Sequence, residues 1–355
     1  MTYMPFRILL LCMLPFLLSA LKCSDEIRFS EKGEISVAFY NLDNLFDTID
    51  DLSTNDADFT PQGRYHWNTE KFNQKLEKLA KVIRRIDGSA SPDVLGVCEL
   101  ENRPALEALA ESCDPEGRFE VVHKDSEDER GIDVGLIYNR EKLSLLEMHS
   151  YAVRLSGDSS DRTRSILWVK LKSSISDDTF QFIVCHFPSR REGKMKSMQN
   201  RMDAAKACSS ILAERCHTAV QNLILMGDFN DEPWDQSLSV GLGAQKPDAD
   251  SRTGLFNLMY KFDTKTSGTY RYKDQWDILD QFILSAALLD KRLPDYLPAS
   301  VGIKSDPWLF QKGKYAGYPL RTFGGDKWLN GYSDHLPVFM KIRLRKHAQE
   351  KNQNH

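Results

Sequence analysis

Four apolar runs in this chain of 355 residues end in side chains that can do chemistry. Val37–Asn41 ends in Asn41, with Asp43 two residues on, and Leu95–Glu99 ends in Glu99. Phe182–His186 ends in His186, and Leu223–Met226 passes through Gly227, where the chain is free to turn, into Asp228 and Asn230. A further apolar run, Leu336–Met340, instead begins directly after Asp334 and His335. Each group has an ordinary reading, since Asp and Asn cap turns and a single His at a strand end often does no more than hydrogen-bond. Five of them at corresponding strand ends are not explained by turn chemistry. If the last strand runs antiparallel to the others, its start lies at the edge where they end, and all five groups converge on one rim. The oxygen donors Glu99, Asn41 and Asp334 suit a hard cation, Mg²⁺ before Zn²⁺, with Mn²⁺ or Ca²⁺ as alternatives. His186 and His335, each with carboxylate neighbours, suit proton transfer and the stabilisation of developing negative charge. No nucleophilic Ser or Cys motif accompanies them, and no CxxC or Cys/His zinc spacing occurs. The reaction this set can perform is metal-assisted attack of water on a phosphoester.

The elements that must position these residues are mostly strands. Ile35, Val37 and Phe39 alternate, and "DVLGVCELEN", "RFEVVHKD", "IDVGLIYN", "ILWVKLK", "TFQFIVCHF", "NLILMGD", "ILDQFILS" and "LPVFMKIRL" all read as strands. Phe72, Leu76, Leu79, Ile83 and Ile86 form one stripe, predicting a helix that runs to Ile86 with Asn68 or Thr69 as its cap. "RPALEALAES" and residues 195–215 read as two more helices, while 48–66, 241–254 and 290–332 read as loops or irregular segments. Many strands, few helices and no regular βα alternation predict an α+β or layered sandwich, not a doubly wound sheet. No repeat or linker divides residues 24–345, which read as one catalytic domain.

Residues 1–23 read as an export signal: Arg7, an apolar stretch Ile8–Leu18, then Ser19 and Ala20. The stretch is too short for a membrane span, and Lys22 before Cys23 is a poor fit to a lipoprotein anchor. The expectation is a periplasmic or extracellular protein with a frayed polar tail over 346–355. Removing the signal takes away two bases and no acid, so the balance moves from −4 to about −6. That argues against holding nucleic acid by bulk charge, though not against a local basic groove. Among the five remaining cysteines, Cys208 and Cys216 are the local candidates for a disulfide, and Cys98 and Cys185 read as buried thiols.

In order and spacing, "FYNLDNLFD", "GVCELEN", "RGIDVGLIY", "CHFPSRR", "GDFNDEP", "YRYKDQWDILDQFILS" and "RTFGGDKWLNGYSDHLPV" resemble the endonuclease/exonuclease/phosphatase superfamily from about Ile35 to Leu344, closest to a secreted bacterial endonuclease-like branch. The resemblance implies a four-layer α/β/β/α sandwich of two mixed, mostly antiparallel sheets, with the site at one end. It implies Glu99 and Asn41 as metal ligands, Asp43 nearby and Asp334 as a further ligand. Asp228 and Asn230 would orient or deprotonate the attacking water, His335 would be the catalytic histidine with its ring fixed by Asp280, and His186 would donate to a nonbridging phosphate oxygen. Ile278 and Gln281 depart from the Arg and Tyr of several relatives, which touches local phosphate contacts and not Asp280. Arg130, Arg190 and Arg191 are read as clamps for substrate phosphate. The implied activity is a Mg²⁺-dependent nuclease acting on nucleic-acid phosphodiesters, with a lipid headgroup or a sugar or inositol phosphate as the alternative substrate, and a binding protein that has lost catalysis as a third reading.

Overall fold

Apolar runs flanked by turns build two seven-stranded sheets. The computed structural model describes residues 33–344, apart from 87, 89, 158–161, 192, 217–220 and 249–252. The expected signal 1–23, Cys23 and the tail 346–355 lie outside the described residues. The first sheet holds β1 (Glu34–Leu45), β2 (Val94–Leu100), β3 (Phe119–His123), β4 (Asp133–Asn139) and the last strand, Val338–Arg343, with Asp295–Tyr296 and Gly302–Ile303 added outside it. The second runs from β5 (Leu143–Tyr151) through β6 (Ile166–Ser173), β7 (Thr179–His186) and β8 (Asn222–Asp228) to Asp280–Ser285, Leu255–Asn257 and Ala244–Gln245. Only β1–β2, β7–β8 and the Ala244–Leu255 pair are parallel among these ladders.

Alternate residues of each central strand face different layers. Phe39, Val94 and Leu136 meet Val169, Phe182, Met226 and Phe282 between the sheets. Ala38, Tyr40, Leu95 and Val97 pack outward on α1 (Thr69–Ile83) and α2 (Arg103–Cys113). Ile183, Cys185, Leu223 and Leu225 pack on α3 (Met198–Arg215). Strands covered on both faces read as continuous apolar runs, which is what the sequence displays. The result is the expected four-layer α+β sandwich. Asn68 accepts the N–H of Lys71 to cap α1, and Asn102 accepts that of Ala105 to cap α2. α1 stops at Ile83, three residues short of the expected end. Among the described residues no helix is long and apolar enough to cross a membrane.

The Cys208–Cys216 pairing is corrected: all five described cysteines are free thiols. Cys216 caps the C-terminus of α3, and a rise of about 1.5 Å per residue from Cys208 separates the two by about 12 Å. That is beyond the reach of a disulfide. Cys208 Sγ lies 3.5 Å from Cys185 Sγ, and Cys216 reaches Gln181 Oε1 at 3.2 Å.

Candidate active site

Strand register assembles half of the site. His186 of β7 pairs with Asp228 of β8, and Asp228 pairs with Asp280 on the neighbouring antiparallel strand. Three titratable side chains thus stand in one row at the edge of the second sheet, spaced by the ladder itself. Gly227 does not turn the chain as its type suggested. It lies within β8, where an added Cβ would come within 2.4 Å of the Cys185 carbonyl oxygen. The turn is made at Asn230, with φ +50°.

The first sheet supplies the other half through broken ladders. β1 and β2 stay in register to Asn41 and Cys98, and pairing then shifts before Leu45 and Leu100. Glu99 occupies the bulge with φ +57°, and Asp43 and Asn44 follow Asn41 with φ +50° and +62°. Non-glycine residues in this region are strained, and here four of them crowd one rim. The last strand is antiparallel to β1, Phe39 facing Val338, so Asp334 and His335 enter at that rim.

Asn41 Nδ2 donates to Glu99 Oε1 at 3.3 Å and to Asp228 Oδ2 at 3.1 Å, joining the two sheets. His186 Nε2 lies 3.7 Å from Asp228 Oδ2 and 3.9 Å from Glu99 Oε1, and its Nδ1 is buried without a hydrogen-bond partner. His335 Nδ1 donates to Asp280 Oδ2 at 2.7 Å, while its Nε2 faces Asp228 Oδ2 at 3.8 Å. Asn230 donates its N–H to Asp228 Oδ1 at 2.9 Å and its side-chain amide to the Phe187 carbonyl at 3.1 Å. Asp43 accepts the Thr322 N–H at 2.8 Å, and Asp334 pairs with Arg321 at 2.9 Å.

Environment separates the two histidines. Burial alone would lower the His335 pKa, but the Asp280 and Asp228 carboxylates outweigh it and raise it well above the ordinary imidazole range. Burial lowers that of His186 well below the same range, helped by the cations of Arg164, Arg130 and His335. His335 therefore rests as a cation and His186 as a neutral ring. Burial, against the pull of His335 and with the Asp280 charge added, holds Asp228 at about 6. At pH 7 a base stands beside an imidazolium. Asp280→Asn is expected to lower the His335 pKa, read by NMR titration, and to cost about 10²–10⁴-fold in turnover. An unchanged titration would remove the pairing from the site.

The arginines are redistributed. Arg190 is not free to clamp substrate. Its Nε donates to the Asn230 carbonyl at 2.5 Å, and its Nη atoms pair with Asp277 and Asp235 at 3.2 Å and with Asp231 at 3.5 Å. It braces the strained Asn230 turn. Arg191 is exposed, with its N–H 3.5 Å from Ser189 Oγ, and no contact of the described residues joins its guanidinium to the cluster. Arg130 is half-exposed beside Asp128 at 3.6 Å. Sequence reading missed Arg164, which is buried and donates to the His186 and Phe187 carbonyls at 2.8 and 2.6 Å. It also missed Arg321, Lys75 and Tyr270, whose ring packs 4.8 Å from that of His335. For Arg164 a signal existed: a charged residue two positions before the first residue of the buried strand "ILWVKLK".

Three groups among the described residues stand close enough to share a metal: Cys98–His186–Asp228, Asp228–Asp280–His335 and His123–Asp125–Asp133. Two of them contain Asp228. Glu99, Asp43 and Asp334 do not form a fourth. Their chemistry nonetheless fits a hard divalent cation, because burial and the neighbouring Asp334 charge raise the Asp43 pKa, a cost that a cation would offset.

A family model described as the Endonuclease/Exonuclease/phosphatase family matches residues 36–344. No curated protein matches the sequence. Among solved structures, a Bacteroides thetaiotaomicron protein of that family is 16% identical with a TM-score of 0.52, covering 88% of this chain and 98% of its own. A mannosyl-6-phosphatase from the same organism is 17% identical with a TM-score of 0.51, covering 87% and 99%. D. rerio TDP2 complexed with a single-strand DNA product is 13% identical with a TM-score of 0.53, covering 87% and 99%.

Proposed function

Because the chain belongs to the endonuclease/exonuclease/phosphatase family, we propose that it is a divalent-metal-dependent phosphoester hydrolase that cleaves nucleic-acid phosphodiesters. The row His186–Asp228–Asp280, with His335 set against both carboxylates, carries this reading. Asp228 takes the proton of the attacking water as the water oxygen bonds to phosphorus and the ester oxygen departs. The His335 imidazolium, held by Asp280, faces the charge that builds on the phosphoryl oxygens, and neutral His186 donates an N–H to one of them. Asn230 keeps Asp228 aligned through its own N–H. A Mg²⁺ held by Glu99, Asn41 and Asp334 would polarise the phosphoryl group and stabilise the leaving oxygen.

Exposed aromatics on segments that lead out of the site support a nucleic-acid substrate. Trp234 and Tyr272 are 47% and 56% exposed, close in sequence to Asn230 and Tyr270. Such rings stack bases without regard to sequence. The commitment of Arg190 to Asp231, Asp235 and Asp277 favours a second reading, a small sugar, inositol or lipid-headgroup phosphoester, since it replaces a basic groove with acid. We place the reaction outside the cytoplasm on the strength of the N-terminal apolar segment. The test is the chain with Mg²⁺, and with a chelator, on DNA, RNA, sphingomyelin and inositol phosphates. Chelator-sensitive cleavage of DNA or RNA is expected. Cleavage of the small esters alone would move the proposal to the second reading, and no cleavage of any would sink it.

A further inference from the structure

Lys75 sits on the inward face of α1 with 0% of its surface exposed, a rare place for an ammonium group. Its Nζ donates to the Asp43 carbonyl at 3.3 Å, to the Tyr332 carbonyl at 2.9 Å and, in a short hydrogen bond, to Thr322 Oγ1. An ammonium has three protons to give, and all three are used. The acceptors belong to separate segments. Asp43 is two residues past Asn41, and Tyr332 two residues before Asp334. Thr322 follows Arg321, and its N–H binds the Asp43 carboxylate at 2.8 Å.

These segments lie beyond the regular ladder. Pairing between β1 and the last strand ends at Phe39 and Val338, so backbone bonds do not fix the spacing of Asn41 and Asp43 from Asp334 and His335. Side chains bridge the gap instead: Ser333 Oγ to the Asn41 carbonyl at 2.8 Å, and Lys75 from beneath.

We propose that Lys75 is a positioning residue that sets the separation of the Asn41–Asp43 and Asp334–His335 segments, and so the placing of the oxygen atoms that receive a divalent cation. This rests on reading the site as metal-dependent. The alternatives differ in sign. A fixed positive charge next to Asp43 repels an incoming cation, so removing it by charge alone would tighten metal binding. If Lys75 only packed α1 on the sheet, its loss would change unfolding and leave metal affinity where it was. Positioning alone predicts that affinity falls.

The experiment is calorimetric titration of Mg²⁺ into the metal-free full chain, its Lys75→Met and Thr322→Val variants and Glu99→Gln, with thermal unfolding of each. Methionine keeps the unbranched stem. Lys75→Met is expected to weaken Mg²⁺ binding about tenfold or more, as loss of groups that orient metal ligands does, and to shrink the Mg²⁺-dependent rise in Tm. Thr322→Val is expected to weaken binding by a smaller factor. Equal or tighter binding by folded Lys75→Met overturns the proposal. If that variant does not fold, unchanged affinity in Thr322→Val overturns it. Binding by the wild type that is absent, or that survives Glu99→Gln, overturns the reading of the site itself and this inference with it.

Discussion

Asp228→Asn is expected to lower turnover about 10²–10⁴-fold while leaving the metal-free protein about as stable as the parent at pH 7. Activity falls because an amide cannot take the proton from water. Stability at pH 7 holds, for a reason that lies in the same burial. The Asp228 pKa is raised from 3.8 to about 6, burial being the first cause, so ionising this group costs more in the fold than in the unfolded chain. A raised carboxylate makes the fold lose stability as pH climbs from about 4 through about 6, and the loss is complete at pH 7. At about 1.4 kcal/mol per unit, the ionised group is worth on the order of 2–3 kcal/mol against folding at most. Asparagine removes that burden and keeps an oxygen for the Asn230 N–H, but it turns its amide N–H toward Asn41 Nδ2, which loses its acceptor at a cost of about 1–3 kcal/mol, so Tm at pH 7 is expected to stay within a few degrees of the parent and to fall below it toward pH 4. Turnover on whichever of the tested phosphoesters is cleaved and thermal unfolding at both pH values check this. An Asp228 that merely caps a turn would give near-normal activity, since asparagine caps equally well.

What the sequence disclosed about this site followed from strand ends. Apolar runs mark buried strands, and a polar residue at the end of one is held by the ladder, so His186, Asp228, Asn41 and Glu99 were legible before any geometry. The antiparallel last strand brought Asp334 and His335 to the same rim. Long side chains that act across layers were not legible. Lys75 belongs to a helix pattern in which a lysine reads as a solvent residue, and its acceptors at Asp43, Thr322 and Tyr332 are distant in sequence. Arg190 looked like a phosphate clamp in "PSRR", and only the fold places Asp231, Asp235 and Asp277 around it. β5 was missed because it is an edge strand whose residues 144–147 are exposed, which erases the apolar run that marks the central strands. Gly227 was misread because the crowding that requires it comes from β7 and not from a turn.

Glu99→Gln is expected to abolish Mg²⁺-dependent turnover, about 10³-fold or more, with the fold intact. Glu99 stands in the break of the β1–β2 register with φ +57°, a strained setting that pushes one side chain out of the ladder onto the rim. Glutamine has the same length and branching, so the bulge and the packing of Cys98 and Leu100 beside it are kept. What goes is the charge, and a hard cation that retains its waters depends on carboxylate charge more than on shape. The lost polarisation of the phosphoryl group is worth several kcal/mol, and each 1.4 kcal/mol is tenfold in rate. Asn41 Nδ2, which now donates to Glu99 Oε1, finds an amide oxygen at the same place, so Asn41 and through it Asp228 stay where they are. The loss is therefore one of metal and not of the base. Two measurements separate them: Mg²⁺ titration of the variant, where the isotherm should flatten, and the Asp228 titration followed by NMR, where the metal-free curve should stay close to that of the parent. A variant that kept near-normal turnover at low Mg²⁺ would move the cation away from Glu99 and onto the carboxylates around Asp228.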